Sequence, residues 1–151
     1  MLVVLCAAVH ACAPHLDGST EKASLASWEY LPQALAPPTA AYGEPNTAVQ
    51  IILECAPTEQ ALRIEFVDTE IAGDRLVELR VAGTTFRGIE RLQPPDGFAV
   101  SRISVPWHEA ILERYGAGAG PIMIITKGEK FQIPDGQSPR RMVKDCLDLR
   151  S

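Results

Sequence analysis

The feature that most constrains the fold of this chain is a series of short segments in which apolar and polar residues alternate. The clearest one places Leu62, Ile64 and Phe66 on one face of an extended chain. Arg63 and Glu65 fall on the other face. Strands are predicted over residues 48–55, 62–68, 76–82, 84–92, 98–105, 122–126 and 130–133, with a hairpin turn over 127–129. Half-buried strands of this kind predict an antiparallel sheet.

Two helices are predicted to interrupt the strands. Pro106 suits the first position of the first helix, because proline fixes a helical φ where no backbone donor is needed. Trp107, Ile111 and Tyr115 then recur every four residues and form an apolar stripe. Gly116 is expected to end this helix.

The second helix is predicted close to the C-terminus, with Ser138 as its N-cap and Pro139 as its first residue. Its apolar stripe consists of Met142, Val143, Cys146 and Leu149. Arg140 and Arg141 would then face the positive end of the helix dipole, which is unfavourable for cations. We therefore treat Arg140 and Arg141 as a candidate interface for an acidic partner or an anionic envelope component. The alternative is that the two arginines form ion pairs with acidic residues of the same chain.

The predicted architecture is α+β and mainly β, a curled antiparallel sheet or small sandwich with two short helices. A length of 151 residues favours one globular domain, assigned here to residues 28–151. Residues 14–27 are polar and small and are predicted to form a tether. The proline-rich stretch over 32–45 is expected to run over the surface, since proline is excluded from sheet centres.

The N-terminus resembles a secretory signal. Residues 1–13 are nearly all apolar or small and precede a polar stretch, although no positively charged segment precedes them. A buried first strand over residues 2–5 is the alternative. If the segment is a signal, Cys12 could be lipidated, since Ala11 before it fits a bacterial lipobox. His10 does not fit, and ordinary cleavage within Ala11-Cys12-Ala13 is the other route.

The four cysteines favour an exported protein. Cys6 would leave with the signal and Cys12 lies in the leader, which leaves Cys55 and Cys146 as a pair 91 positions apart. Both lie in apolar segments, with too few Cys or His residues nearby for a zinc site. A disulfide between Cys55 and Cys146 is predicted, whereas a cytosolic protein would hold them as buried thiols.

The order of several short motifs resembles a group of uncharacterised exported or lipoprotein-like domains from alphaproteobacteria, particularly sphingomonads. The matching features are Trp28, the segment 41–45, Cys55, the segment 105–116, the hairpin ending at 132–134 and the segment 142–146. The resemblance covers roughly residues 28–147. It implies location and fold, and no chemistry.

No catalytic, metal or cofactor motif is recognised. His108-Glu109 opens like a metalloprotease helix, but position 112, where the second zinc-binding histidine is required, is Leu. The glycines over 116–120 follow a predicted helix and lead into a strand, whereas dinucleotide loops run from a strand into a helix. No residue is therefore assigned a catalytic or metal-binding role, and no cofactor is expected.

Charge and composition restrict the function classes. Fourteen basic and nineteen acidic residues give a net charge of -5, which argues against a nucleic-acid-binding surface. We expect a non-enzymatic protein of the periplasm or cell envelope that binds a protein or envelope component, with membrane contact only through an N-terminal lipid. The alternative is a small envelope enzyme or accessory subunit with its site around His108 and Glu109. A third possibility is a cytosolic domain with reduced cysteines.

Overall fold

The computed structural model describes residues 26–31, 37–47, 49–68, 73–93 and 99–150. It is mainly β, with one nine-stranded antiparallel sheet curled into a half-barrel and two helices, which confirms the predicted fold class. The strands are β1 Ser27–Leu31, β2 Thr39–Gly43, β3 Ile51–Ala56, β4 Ala61–Asp68, β5 Arg75–Val81, β6 Thr84–Gln93, β7 Ala99–Pro106, β8 Met123–Thr126 and β9 Glu129–Gln132. The helices are α1 Ala110–Gly116 and α2 Gln137–Asp148, with one 3-10 turn at Pro57–Glu59.

The sheet consists of a run of four consecutive strands, a run of three and a hairpin. Strands β1 to β4 pair in order, β4 then pairs with β7, and β6 and β5 follow before the hairpin of β8 and β9. Two-residue turns at Ala82-Gly83 and Lys127-Gly128 have positive φ values at both positions, as a type I′ hairpin requires. The hairpin predicted around residues 127–129 is thus present.

The concave face of the sheet forms the core. Leu53, Ile64 and Ile103 are aligned across β3, β4 and β7, and each is fully buried. The alternation found in the sequence explains this placement, because every second side chain of a strand points to the same face. Arg63 and Glu65 accordingly lie on the convex face.

Both helices pack at one end of the half-barrel, which we call the helix end. Helix α2 lies against β1, β2 and β3, and α1 lies against β5, β6 and α2. Ile111, Leu112 and Tyr115 of α1 are buried together with Met142 and Val143 of α2. Neither helix in the described part of the chain has the length and apolar character needed to cross a membrane.

The two edges of the curled sheet approach each other. The indole Nε1 of Trp28, on edge strand β1, donates a hydrogen bond to the carbonyl oxygen of Pro134, just after edge strand β9, at 2.8 Å. The rings of Phe66 and Phe131, on β4 and β9, lie 5.9 Å apart across the concave face. These contacts connect the two edges of the half-barrel.

Two predicted helix starts are wrong. Pro106 ends β7, and α1 begins only at Ala110 after Glu109 at its N-cap. The reason is that the buried Trp107 still follows the strand, its backbone N–H donating to the carbonyl of Gln60 at 2.8 Å.

Helix α2 begins at Gln137 with Gly136 at its N-cap, so Ser138 is not the cap and Pro139 is the third helical residue. Gly136 packs against Trp28 so closely that an added Cβ would lie 2.9 Å from the indole Cδ1. Asp135 accepts a hydrogen bond from the Gly136 N–H at 2.9 Å and supplies negative charge at this helix end.

The expected surface path of the proline-rich stretch is also wrong in part. Strand β2 is the second strand of the sheet, and its Ala40 is completely buried. The strand fits because its five residues contain no proline; Pro38 and Pro45 lie outside it. The predicted signal-like segment 1–13, with Cys12, and nearly all of the tether over 14–27 lie outside the described residues, and β1 begins at Ser27.

Candidate functional site

A pocket opens at the end of the half-barrel opposite the helices, which we call the open end. It has a volume of about 880 Å³, within the range of roughly 300–1,000 Å³ that is usual for small-molecule sites. Its wall is formed by residues at the ends of β2, β3 and β4 on one side and at the start of β9 on the other. The curl of the sheet therefore creates the pocket, because it brings strands distant in sequence to face one another.

Half of the residues that line the pocket are aromatic or aliphatic. Tyr42, Ile51 and Phe66 line one side, and Phe131 and Pro134 line the other. Phe131 is 42% exposed, and the other residues of edge strand β9 are exposed as well. An apolar ligand could contact both sides at once without displacing core residues.

A buried polar cluster lies behind the pocket wall. Glu90 of β6 is fully buried, and its carboxylate is 2.7 Å from the guanidinium Nε of Arg75. Ser101 donates a hydrogen bond to Glu90 at 2.5 Å, and Thr126 donates another at 3.1 Å. Arg75 and Thr126 also line the pocket, so the cluster joins the core to the cavity. We call these four residues the Glu90 cluster.

The charges around the pocket differ in sign from those of the whole chain. Among the described residues, Arg75, Lys127 and Lys130 line it together with one carboxylate, that of Glu129. With the buried Glu90 included, three cations and two carboxylates of the described residues lie here, in a chain whose net charge is -5. The pocket therefore favours a ligand whose polar end is negative or accepts hydrogen bonds.

The predicted cysteine pair lies at the helix end. Cys55 at the end of β3 and Cys146 in α2 are both buried, with Cα atoms 5.5 Å apart and sulfur atoms at disulfide distance. The structure thus brings together the two cysteines that the sequence pairs and joins α2 to the sheet.

His108 and Glu109 also lie at the helix end, between β7 and α1. The His108 side chain is 81% exposed, and its Nε2 is 3.6 Å from the Glu109 carboxylate. Neither residue lines the pocket, so the alternative site around His108 and the pocket are separate places in the fold. Among the described residues, no group of three or more His, Cys, Asp or Glu side chains is placed to hold a metal ion.

Arg140 and Arg141 both form contacts within the chain. Arg140 donates a hydrogen bond to Asp135 at 2.5 Å. The guanidinium of Arg141 lies 5.2 Å from the centre of the Tyr30 ring and 3.9 Å from Asp145. Arg141 is nevertheless largely exposed, and the interface assigned to the two arginines stays a prediction.

The sequence reasoning missed the pocket and the Glu90 cluster, although the strand pattern contained a signal for both. Arg75 is in phase with the inward residues Val77 and Leu79 of β5, and Glu90 is in phase with Phe86 of β6. A charged residue at an inward position of each of two neighbouring strands predicts a buried ion pair. The closure that forms the pocket has no comparable signal, since it depends on contacts between the first and last strands.

No family model matches this chain, and neither curated proteins nor solved structures show a significant match to it.

Proposed function

We propose that this protein is a non-enzymatic binding module of the cell envelope whose pocket holds an amphipathic envelope component. The ligand has an elongated apolar body and a negatively charged end, as a long-chain carboxylate has. The main support for this proposal is the pocket, which combines apolar lining residues with more cations than carboxylates among the described residues.

The two halves of such a ligand match different parts of the pocket. The apolar body lies between Phe66 and Phe131, where burial of each methylene group is favourable by about 0.8 kcal/mol. The anionic end lies toward Arg75 and Lys127, which carry the positive charges at this side of the pocket. Since Arg75 already pairs with Glu90, it keeps a fixed position in the free protein, which limits the entropy lost on binding.

The envelope location in this proposal is supported by two features. The signal-like segment 1–13 is typical of exported proteins, and disulfides persist mainly in oxidising compartments, where the Cys55–Cys146 pair would be stable. Cell fractionation combined with mass spectrometry of the N-terminus tests the location. Retention of residues 1–11 in a soluble cytosolic protein would contradict it.

Ligand binding is tested by fluorescence titration with 11-(dansylamino)undecanoic acid, a fluorescent long-chain carboxylate. We expect saturable binding that dodecanoate displaces. Dodecyltrimethylammonium has the same tail with a cationic head, and it should displace the probe poorly. Displacement by both compounds to the same extent would contradict the role of the cations.

Phe131→Ala removes part of the apolar wall and should weaken binding about tenfold, corresponding to about 1.4 kcal/mol. The matched control is Leu149→Ala, which truncates another exposed apolar side chain, just after α2 at the helix end. It should leave the dissociation constant unchanged. Equal affinities of Phe131→Ala and the unmodified protein would place the probe outside the pocket.

A further inference from the structure

The convex face of the sheet carries four arginines, three exposed and one half-buried, around two exposed aliphatic side chains. Arg87 and Arg91 lie on β6, Arg80 lies on the neighbouring β5 and Arg102 lies on β7. Between them, Leu76 of β5 and Ile89 of β6 lie directly opposite each other. We call these six residues the arginine patch.

The aliphatic pair is unusually accessible for its position in a sheet. Leu76 is 82% exposed and Ile89 is 50% exposed, and each pairs with the other just beyond the residues at which β8 and β7 join the sheet. An isolated exposed aliphatic residue is ordinary on a protein surface, but two in register form a continuous apolar spot.

The charges of the patch are only partly compensated. Glu78 pairs with Arg80 and with Arg87, and Glu65 pairs with Arg102 at 2.6 Å. Arg91 lies directly opposite Arg102, and a like-charged pair in this position is unfavourable. The hydrogen bond from Arg63 lowers the pKa of the Glu59 carboxyl group, and Arg102 and Arg91 lie close enough to lower it further. Among the described residues, the four arginines therefore face three carboxylates, on a chain whose net charge is -5. A region of opposite sign to the whole protein favours an anionic partner.

The size of the patch decides which anionic partner it suits. It spans three strands at about 4.8 Å spacing and five residues at about 3.3 Å each, an area of roughly 10 by 15 Å. A stable protein–protein interface needs about 800 Å² on each partner, several times more. A phospholipid surface has no such minimum, because aliphatic side chains enter the acyl boundary while arginines bind the phosphate groups around them.

We propose that the arginine patch is a peripheral docking site for an anionic phospholipid surface. Leu76 and Ile89 insert at the boundary between headgroups and acyl chains, and Arg87, Arg91 and Arg102 bind lipid phosphates. This site lies on the opposite face of the sheet from the pocket, and it does not depend on what the pocket binds.

Vesicle flotation of the chain beginning at residue 14, which lacks Cys12, tests the proposal. We expect binding to vesicles of phosphatidylglycerol and phosphatidylethanolamine, and none to vesicles of phosphatidylcholine. Binding to the anionic vesicles should decrease with salt, since headgroup attraction is screened. Arg91→Gln should reduce the partition coefficient about fivefold, as expected for one cation at a membrane surface, and the double variant Arg91→Gln with Leu76→Ser should reduce it further.

The matched control is Arg141→Gln with Leu149→Ser, the same two kinds of change in and just after α2. It should bind the anionic vesicles like the unmodified chain. Equal losses in both double variants would mean that binding follows net charge alone and would overturn the proposal. The proposal would also be overturned if the chain did not bind vesicles but was retained on polyglutamate, and if Arg91→Gln abolished that retention. The patch would then bind an acidic protein.

Discussion

The two ends of the half-barrel are built from different chemistry. At the helix end, α1 and α2 cover the core with apolar side chains, and Cys146 meets Cys55. At the open end, the core stops at the Glu90 cluster and a pocket follows. The same strands extend from the helix end to the open end. The difference therefore arises from the side chains at the first and last residues of each strand. The helix end is stabilised by apolar packing and the cysteine pair, whereas the open end retains polar groups close to a cavity.

The difference shows that inward-facing side chains of one strand can pack in the core at one end and line the pocket at the other. In β5, Leu79 and Val81 belong to the buried core, while Arg75 lines the pocket. In β6, Phe86 packs in the core, while Glu90 compensates Arg75. The change from apolar to ionic side chains along the same face marks the place where the core ends and the candidate site begins.

The largest predicted effect is at the open end. Glu90→Ala should lower the free energy of unfolding by roughly 3–5 kcal/mol, because the largely buried Arg75 guanidinium would lose its ion pair with Glu90. Urea denaturation measures the loss. In Arg75→Met with Glu90→Leu both charges are absent, and this double variant should be much closer to the unmodified protein. A loss below about 1 kcal/mol for Glu90→Ala would show that solvent at the open end stabilises the charge of Arg75 in place of the Glu90 carboxylate.

The second prediction concerns the helix end. Cys55→Ser should cost about 2–5 kcal/mol, since the bridge to Cys146 closes a loop of 91 residues. Cys146→Ser should cost about the same, and the double variant should cost no more than either single one, because the same bond is lost. Affinity for the dansyl probe should not change in the folded fraction, in contrast to the Phe131 variant. Non-reducing peptide mapping of periplasmic material that finds both thiols free would contradict the bridge.

The smallest predicted effect is a pH dependence at the helix end. Burial raises the pKa of Tyr115, and the nearby Asp135 raises it further, although Arg140 acts in the opposite direction. The folded pKa therefore lies above the unfolded value of about 10, so the stability contributed by the protonated hydroxyl is complete below that pH and is lost as the pH rises beyond it. Tyr115→Phe should flatten this alkaline loss of thermal stability between pH 9 and pH 11.

At neutral pH the same variant should change stability by less than about 1 kcal/mol, because the buried Tyr115 hydroxyl has no hydrogen-bond partner among the described residues. Tyr30 also has a raised pKa, owing to burial and then to its hydrogen bond to Asp145, so some alkaline sensitivity should persist. An unchanged pH profile in Tyr115→Phe would assign the alkaline effect to other groups.

The sequence predicts strands β3 to β9 because each of them is encoded locally, whereas it does not predict β1 and β2. The alternation around Ile64 and the glycine at position 128 need no distant partner to be recognised. The starts of both helices were misplaced because tertiary contacts determine them: Trp107 is held by Gln60, and Gly136 is held against Trp28. The pocket depends on the same kind of long-range contact, and local periodicity contains no information about it.

The hydrogen bond between Trp28 and Pro134 joins residues 106 positions apart. A chain that emerges N-terminus first, from a ribosome or a translocation channel, makes β1 early and the segment that closes against it almost last. The pairing of β4 with β7 likewise waits for two intervening strands. Folding of this domain is therefore expected in the slow range of milliseconds to seconds that is typical of non-local β topologies. The chain must be available as far as Pro134 before this contact forms, and a truncation before Pro134 would remove the hydrogen-bond acceptor of Trp28.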